Sequence, residues 1–347
     1  LFYHINIFAF WYNTSMFLKQ IDLLAIGDIT TDAFIKLKEA HVTCNVNRDK
    51  CELCMKFGDK IPYESVTIVR AVGNSANAAV AATRLGLSSA LVTDVGTDEN
   101  GKECLESLKR DRVDRRFISI HKGMETNYHY VLWYDAERTI LVKHQDFPYC
   151  LPRIPKNPQW VYISSLGANS YEYHLAIIEW LTKNPDIKVA FQPGTFQMGL
   201  GVEKLRGLYG RSDLFFCNRE EAQKILKTNE RDIKKLMVMI YDIGPKTVFV
   251  TNGPRGAYVY DGTNAYFMPP YPDPKPPLER TGAGDAFAST ITTAFALGKT
   301  LDEALRWALI NSASGVQNIG AQRGLLTQKK IGEWLAKAPA DYKPRKI

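Results

Sequence analysis

RTGAGDAFAS, residues 280–289, decides how this chain is read. Thr281, Gly282, Ala283 and Gly284 put very little side chain ahead of a single acid, Asp285, and the apolar run AFASTITTAFALG follows it. That order predicts a helix starting at the glycines. The first turn of a helix presents unpaired N–H groups and the positive end of its dipole. Glycine and alanine leave those groups open to an anion. A carboxylate in the same turn stands beside the anion, placed to take a proton from a hydroxyl attacking a phosphoryl group. The stretch therefore reads as an amide hole, Gly282, Ala283 and Gly284, with Asp285 as general base. A capped helix with a tight glycine turn is the plain alternative.

Outward from this helix, strand-like and helix-like segments alternate. IDLLAIGDI (21–29), SALVTDVG (89–96), WVYISSLG (160–167), KVAFQPG (188–194), DLFFCN (213–218) and TVFVTNG (247–253) are short apolar runs ended by turn residues. Between them, NSANAAVAATRLG (74–86) and YEYHLAIIEWLTK (171–183) carry apolar residues at helical spacing. Thr300 and Glu303 form a capping box at the head of a further helix. The alternation predicts an α/β fold of three layers, a mostly parallel sheet with helices on both faces. Two segments fit less well, about 33–70 and 126–144. In the second, NYHYVLWYD and RTILVKH read as a hairpin, and both segments are assigned to a small β lid.

Composition excludes several classes. With 347 residues, 45% hydrophobic and 23% charged, the chain suits a soluble globular protein. The formal charge of +7 comes with no Lys/Arg run that argues for nucleic acid. It suits an anionic small molecule as well as a solvated basic surface. Residues 1–18 are an apolar N-terminal extension that lacks a basic region and a small-residue cleavage site. The stretch is too short and polar for a span, which needs roughly 20 apolar residues. It reads either as an extension upstream of a start at Met16 or as following a non-Met start codon, with residues 19–347 as the folded domain. No other segment suits a bilayer, and a cytoplasmic location is expected. The six cysteines do not make a disulfide framework in a chain of this size. His41, Cys44, Cys51 and Cys54 give H-x2-C-x6-C-x2-C, a set able to close a tetrahedral Zn2+ site. Reduced thiols in a lid loop are the other reading of the same residues.

Two familiar nucleotide patterns fail. GTDENGK (96–102) nearly matches a P-loop, but Glu103 stands where Ser/Thr should hold Mg2+. No G-x-G-x-x-G follows a strand, so the dinucleotide fingerprint is missing too.

RTGAGDAFAS instead resembles the C-terminal signature, D-T-x-G-A-G-D-x-F, of the ribokinase-like (PfkB) carbohydrate kinases. Further segments match in the family's order: GDITTD (27–32), VGNSANAAVAATRLG (72–86), NREE (218–221), TNGPRG (251–256) and GAQ (320–322). The resemblance covers roughly residues 21–335. It implies ATP-dependent phosphorylation of a hydroxyl of a small sugar or sugar-like substrate, with Asp32, Gly73 and Asn77 as substrate contacts. It implies ATP contacts at Asn218, Thr251, Gly253, Gly256, Thr281 and Asn311. Asn218 and Glu221 would hold Mg2+ through water, and the GAQ loop would lie near the adenine and a monovalent cation, K+. An adenosine-type nucleoside kinase of the same fold, and a non-catalytic sugar or nucleotide sensor, remain as alternatives. Departures from the pattern are Val72 in a glycine place, Thr30 in an asparagine place, and Glu279–Arg280 for Asp-Thr. The K+ site is thereby open to question, and Arg280 reads either as a phosphate contact or as a solvated loop residue. A small lid with an open edge is marginal alone, so a homodimer through the lid is expected.

Overall fold

A computed structural model describes residues 20–44, 51–134 and 137–347; the expectation for residues 1–18 lies outside them. Four fully buried residues form β1 (Leu23–Ile26). The chain then leaves the main sheet through β2 (Thr30–Leu37), β3 (His41–Cys44), β4 (Cys51–Cys54) and β5 (Tyr63–Val72). It returns through α1 (Asn74–Arg84), β6 (Ser89–Gly96), α2 (Glu99–Arg110) and β7 (Ile118–His121), then leaves again as β8 (Tyr128–Tyr134) and β9 (Glu137–Leu141). Regular alternation follows: β10 (Trp160–Ile163), α3 (Tyr171–Lys183), β11 (Lys188–Phe191), α4 (Thr195–Leu200), α5 (Val202–Arg211), β12 (Leu214–Asn218), α6 (Arg219–Leu226), α7 (Ile233–Tyr241) and β13 (Val248–Thr251). β14 (Ala257–Tyr260), β15 (Ala265–Met268), α8 (Ala283–Ala296), α9 (Leu301–Gly315), α10 (Gln328–Leu335) and β16 (Arg345–Lys346) complete the chain.

Among the described residues the main sheet runs β16-β15-β14-β13-β12-β11-β10-β1-β6-β7. Its pairs are parallel from β13 to β7 and antiparallel from β13 to β16. Side chains alternate across a strand, and both faces of this sheet are covered. Leu23 and Ala25 join Ala78, Ile291 and Ile310 in one core, while Leu24 and Ile26 join Ile177, Leu208 and Ile240 in the other. Each such aliphatic side chain contributes about 1.5–3 kcal/mol on burial. The three expected layers follow, and so does the mostly apolar make-up of the strands, with Ser89, Thr93 and Asp94 of β6 as buried polar exceptions. α8 is buried from Ala286 to Ala294 because α1 and α9 pack on it as well as the sheet. Among the described residues no helix is long and apolar enough to cross a membrane.

The lid is a second sheet in the order β5-β2-β8-β9. It starts at Thr30, a little before the expected boundary, because β2 begins directly after the β1 turn. Asp32 pairs with Val69 and His129, Phe34 with Val131, Val131 with Ile140, and Trp133 with Arg138. Alternation therefore puts Asp32, His129, Val131, Trp133 and Arg138 on one face, around a small core of Phe34, Val69, Val72 and Val131. On the opposite face Val66, Ile68, Tyr130 and Leu141 are exposed.

The β3–β4 hairpin corrects the reading of the cysteines. Its antiparallel register sets Cys44 opposite Cys51, with Cα atoms 4.1 Å apart, and the two form a disulfide. Cys54 lies opposite His41 as an exposed free thiol. Sulfurs bonded to each other have no thiolate to give a metal, so the proposed zinc set of His41, Cys44, Cys51 and Cys54 loses half its ligand strength. No group of three or more His, Cys, Asp or Glu suited to a metal ion occurs among the described residues.

Candidate active site

Parallel strands deliver their following loops to one edge of the sheet, where such folds place ligands. Here that edge collects Asp28 after β1, Gln192 after β11, Asn218 at the end of β12 and Thr251 at the end of β13. The start of α8 faces them. Gly282 caps this helix with φ 78°, left-handed backbone that favours glycine. A Cβ there would stand 2.2 Å from the Ala321 Cβ, so the close approach of the 320–322 loop also demands glycine.

Asp285 lies in the first turn of α8, as expected. Asn77 Nδ2 donates to its Oδ2 at 2.7 Å and Gln192 Nε2 to its Oδ1 at 3.1 Å. Asn77 thus reaches across to the acid rather than capping α1, whose N-cap is Gly73. Gln322 Nε2 donates to Asn77 Oδ1 at 3.0 Å and to the Ala71 carbonyl at 2.7 Å, while the Tyr162 hydroxyl donates to Gln192 Oε1. Burial pushes the Asp285 carboxyl up from its ordinary value. The bonds from Asn77 and Gln192 and the charge of Arg138 oppose that rise, and the charge of Asp32 adds to it. Of the expected amides, that of Ala283 makes a long 3.4 Å contact with the Arg280 carbonyl. Gly284 is open: the first atom a Cβ would meet is Gln192 Nε2 at 4.0 Å.

Two adjoining cavities meet at this helix start. The smaller, about 270 Å³, is lined by Asp285, Gly284, Thr281, Asn218, Glu221 and Arg280. The larger, about 600 Å³, runs past Thr251, Gly253, Gly256, Tyr271, Ser312 and Val316. Thr251, Gly253, Gly256, Thr281 and Asn218 line these cavities. Asn311 does not. It is fully buried, donating to Thr290 Oγ1 at 2.7 Å and accepting from the Leu326 N–H at 2.8 Å. The cavity-facing residues of α9 are Leu309, Ser312 and Ala313. Gln322 of the GAQ loop turns to Asn77, and residues 320–322 line neither of these two cavities.

Asn218 and Glu221 form a reciprocal cap on α6: Asn218 Oδ1 accepts from the Glu221 N–H and Glu221 Oε2 from the Asn218 N–H, each at 2.8 Å. Burial pushes the Glu221 carboxyl up, and the charge of Asp285 adds to it. A buried carboxyl raised further by a second carboxylate across a small cavity suits a divalent cation, and Mg2+, which keeps much of its water, needs only one or two carboxylates. Glu279, in the place of the family's Asp, is buried and accepts from the N–H groups of Thr281 at 2.6 Å and Gly320 at 2.8 Å.

The lid closes the opposite side. Asp32 is buried with Oδ1 3.3 Å from His129 Nδ1, but without hydrogen-bond geometry, and Oδ1 and His129 Nε2 are both left without partners. Asp28 accepts from the Tyr149 hydroxyl at 2.9 and 3.0 Å and lies 3.2 Å from His144 Nδ1. Gly73, at φ 116°, is pressed against the Asp28 carbonyl, which a Cβ would meet at 2.5 Å. Asp28, Gln192, His129, His144 and Arg138 were missed by sequence reasoning. Only the lone polar residues of GDITTD and KVAFQPG, each just past a buried strand, signalled any of them.

A three-layer α/β fold with its acid at a glycine-opened helix start, across from a β lid, defines a phosphotransferase of the ribokinase-like class. Comparison with known proteins agrees. Residues 39–328 match the pfkB family carbohydrate kinase model, and the chain belongs to that family. It is 29% identical over 270 residues to a cytidine kinase of Thermococcus kodakarensis, covering 76% of this chain and 89% of that protein. It is 25% identical over 322 residues to an ATP-dependent 6-phosphofructokinase of Thermoanaerobacterium thermosaccharolyticum, covering 87% and 90%. The structure of Arabidopsis thaliana ribokinase complexed with ribose and ATP superposes with a TM-score of 0.76 at 19% identity, covering 91% and 99%. The chain is a sugar or nucleoside kinase, and kinases of this family use ATP with Mg2+.

Proposed function

We propose that this kinase transfers the γ-phosphoryl group of ATP to a hydroxyl of a small sugar or sugar-like acceptor, with Asp285 taking the hydroxyl proton. The observation that carries it is the placement of Asp285. Its carboxylate is oriented by Asn77 and Gln192 at the mouth of a helix whose N-terminus opens on a cavity of about 270 Å³, room enough for a phosphoryl group. Burial makes Asp285 a stronger base than a solvated aspartate. The open Oδ1 of Asp32 and Nε2 of His129 meet acceptor hydroxyls. The amide of Gly284 and the dipole of α8 stabilise charge on the transferred group. Asn218 and Glu221 would hold Mg2+ through water, and the ion would neutralise phosphate charge. The lid excludes water, the competing acceptor.

The test is Asp285→Asn against a panel of sugars and nucleosides. Removing a general base lowers kcat by on the order of 10²–10⁴-fold, while ATP binding persists. Near-wild-type kcat in this variant refutes the assignment. A chain that binds ATP but phosphorylates nothing on the panel would be a sensor.

The outer lid face of Val66, Ile68, Tyr130 and Leu141 is the proposed homodimer surface. It lies on a sheet whose edges, β5 and β9, are open to a second copy.

A further inference from the structure

We propose that the lid supplies a catalytic residue of its own: Arg138 reaches the phosphoryl group in transfer, across from Arg280, so that closing the lid completes the anion site. The proposal rests on the kinase reading above and adds a group that the sequence motifs do not contain.

Position comes first. The β8–β9 register pairs Arg138 with Trp133, which places it on the lid face that carries Asp32 and His129. The other cation on that face is already engaged: Lys36 lies 2.8 Å from Glu64 and over the Trp133 ring at 5.4 Å. Arg138 instead lines both cavities, as Arg280 does from the body of the protein.

The state of the two guanidiniums comes second. Nε of Arg138 and Nε of Arg280 are each buried without a hydrogen-bond partner. Neither side chain takes part in a salt bridge among the described residues. Both side chains are half-buried, and a charge withdrawn from water without an acid to pair it is costly. Asp285 pairs with neither guanidinium: its oxygens accept from Asn77 and from Gln192, and the charge of Arg280 is felt at Asp273 without an ion pair. The charge of Arg138 is nevertheless felt at Asp285, so the two groups share one electrostatic centre. Glu220, also on the larger cavity, is held by Arg219 at 2.6 Å. Two planar forks facing one cavity across a cleft match the oxygens of a phosphoryl group, which a guanidinium binds two at a time.

The step balances without any further reactant. The acceptor oxygen forms a bond to the γ-phosphorus as the bridge to the β-phosphate breaks. The electron pair of that bridge leaves with ADP and the hydroxyl proton passes to Asp285. Arg138 lies against the equatorial oxygens, whose charge it offsets in the transition state. Because Arg138 rides on the lid, it reaches this position only when the cleft is shut. Transfer to water from an open cleft is thereby disfavoured.

The experiment compares Arg138→Gln and Arg138→Lys with the wild type, using ATP, Mg2+ and the best acceptor of the panel. Arg138→Gln is expected to lower kcat by about 10³-fold, the lower range for a charge-stabilising arginine in phosphoryl transfer, with both KM values nearly unchanged. Arg138→Lys restores part of the rate, since a point charge replaces the fork. Added guanidinium chloride restores part of the rate of Arg138→Ala, which a merely structural residue would not allow. A wild-type kcat in Arg138→Gln, or a loss confined to the acceptor KM, overturns the proposal. If the wild type phosphorylates no acceptor, the kinase reading fails, and sodium tripolyphosphate tests the arginine alone. Stabilisation of the wild type but not of Arg138→Gln against heat then supports an anion site at Arg138, and equal stabilisation overturns it.

Discussion

Replacing Asn77 with alanine should move the acid limb of the pH–rate profile upward. Asn77 Nδ2 donates to Asp285 Oδ2 at 2.7 Å, a hydrogen bond to a charged acceptor. Such a bond contributes about 1.5–3 kcal/mol, and one pKa unit corresponds to about 1.4 kcal/mol. Full loss therefore corresponds to about 1–2 units, and water entering the vacated space returns part of that, leaving about one unit. The sign follows from which form the bond favours. Asn77 stabilises the carboxylate, so its removal raises a pKa that burial has already raised, and the base is protonated at higher pH. The profile of kcat/KM, which reports groups of the free enzyme, should keep its shape and shift its acid limb by about one unit. Gln192→Met removes the longer 3.1 Å bond and should shift the limb the same way by less. An acid limb in Asn77→Ala that overlays the wild type, or moves to lower pH, refutes both the hydrogen-bond argument and the role of Asp285 as base.

Glu221→Gln should raise the Mg2+ concentration needed for half-maximal rate while leaving the acceptor KM in place; Mg2+ and acceptor titrations separate the two, and a change in acceptor KM alone counts against the metal role. Gly282→Ala should destabilise the fold by at least ~1–2 kcal/mol from its left-handed φ alone, with the 2.2 Å approach to Ala321 adding to it; urea unfolding measures this, and a neutral result is incompatible with the described turn. Elemental analysis should find no stoichiometric zinc, and thiol titration of the unreduced protein should find Cys54 but not Cys44 or Cys51. Ile68→Lys, on the exposed lid face, should shift sedimentation from dimer toward monomer; a wild-type monomer at micromolar concentration removes the dimer proposal.

Local features of the chain carried most of the fold. Short apolar runs ended by turn residues declared the strands, because a strand covered on both faces is mostly apolar. TGAGD declared the helix start, because backbone at φ 78° and a close neighbour at Ala321 both require glycine at 282. Thr300 and Glu303 declared the head of α9, and the reciprocal cap is present. For the same reason the motif residues that line the cavities were legible: their job is tied to a turn or helix end that sequence spacing specifies. What tertiary structure alone decided is which distant side chains meet. Asn77 was marked by the resemblance as a substrate contact, yet nothing in its own helix shows that it binds an acid 208 residues away. Asn311 looks equally available and is consumed inside the core by Thr290 and Leu326. Arg138 sits in a hairpin of ordinary composition, and only the register with Trp133 turns it toward the cleft. Cys44 and Cys51 fit a zinc pattern by spacing, and only the β3–β4 register brings their sulfurs together. Backbone propensity acts over a few neighbouring residues, whereas strand order, register and helix packing choose partners across the whole chain. The aspartate was therefore visible in the sequence, and the groups that orient it emerged only once the sheet was assembled.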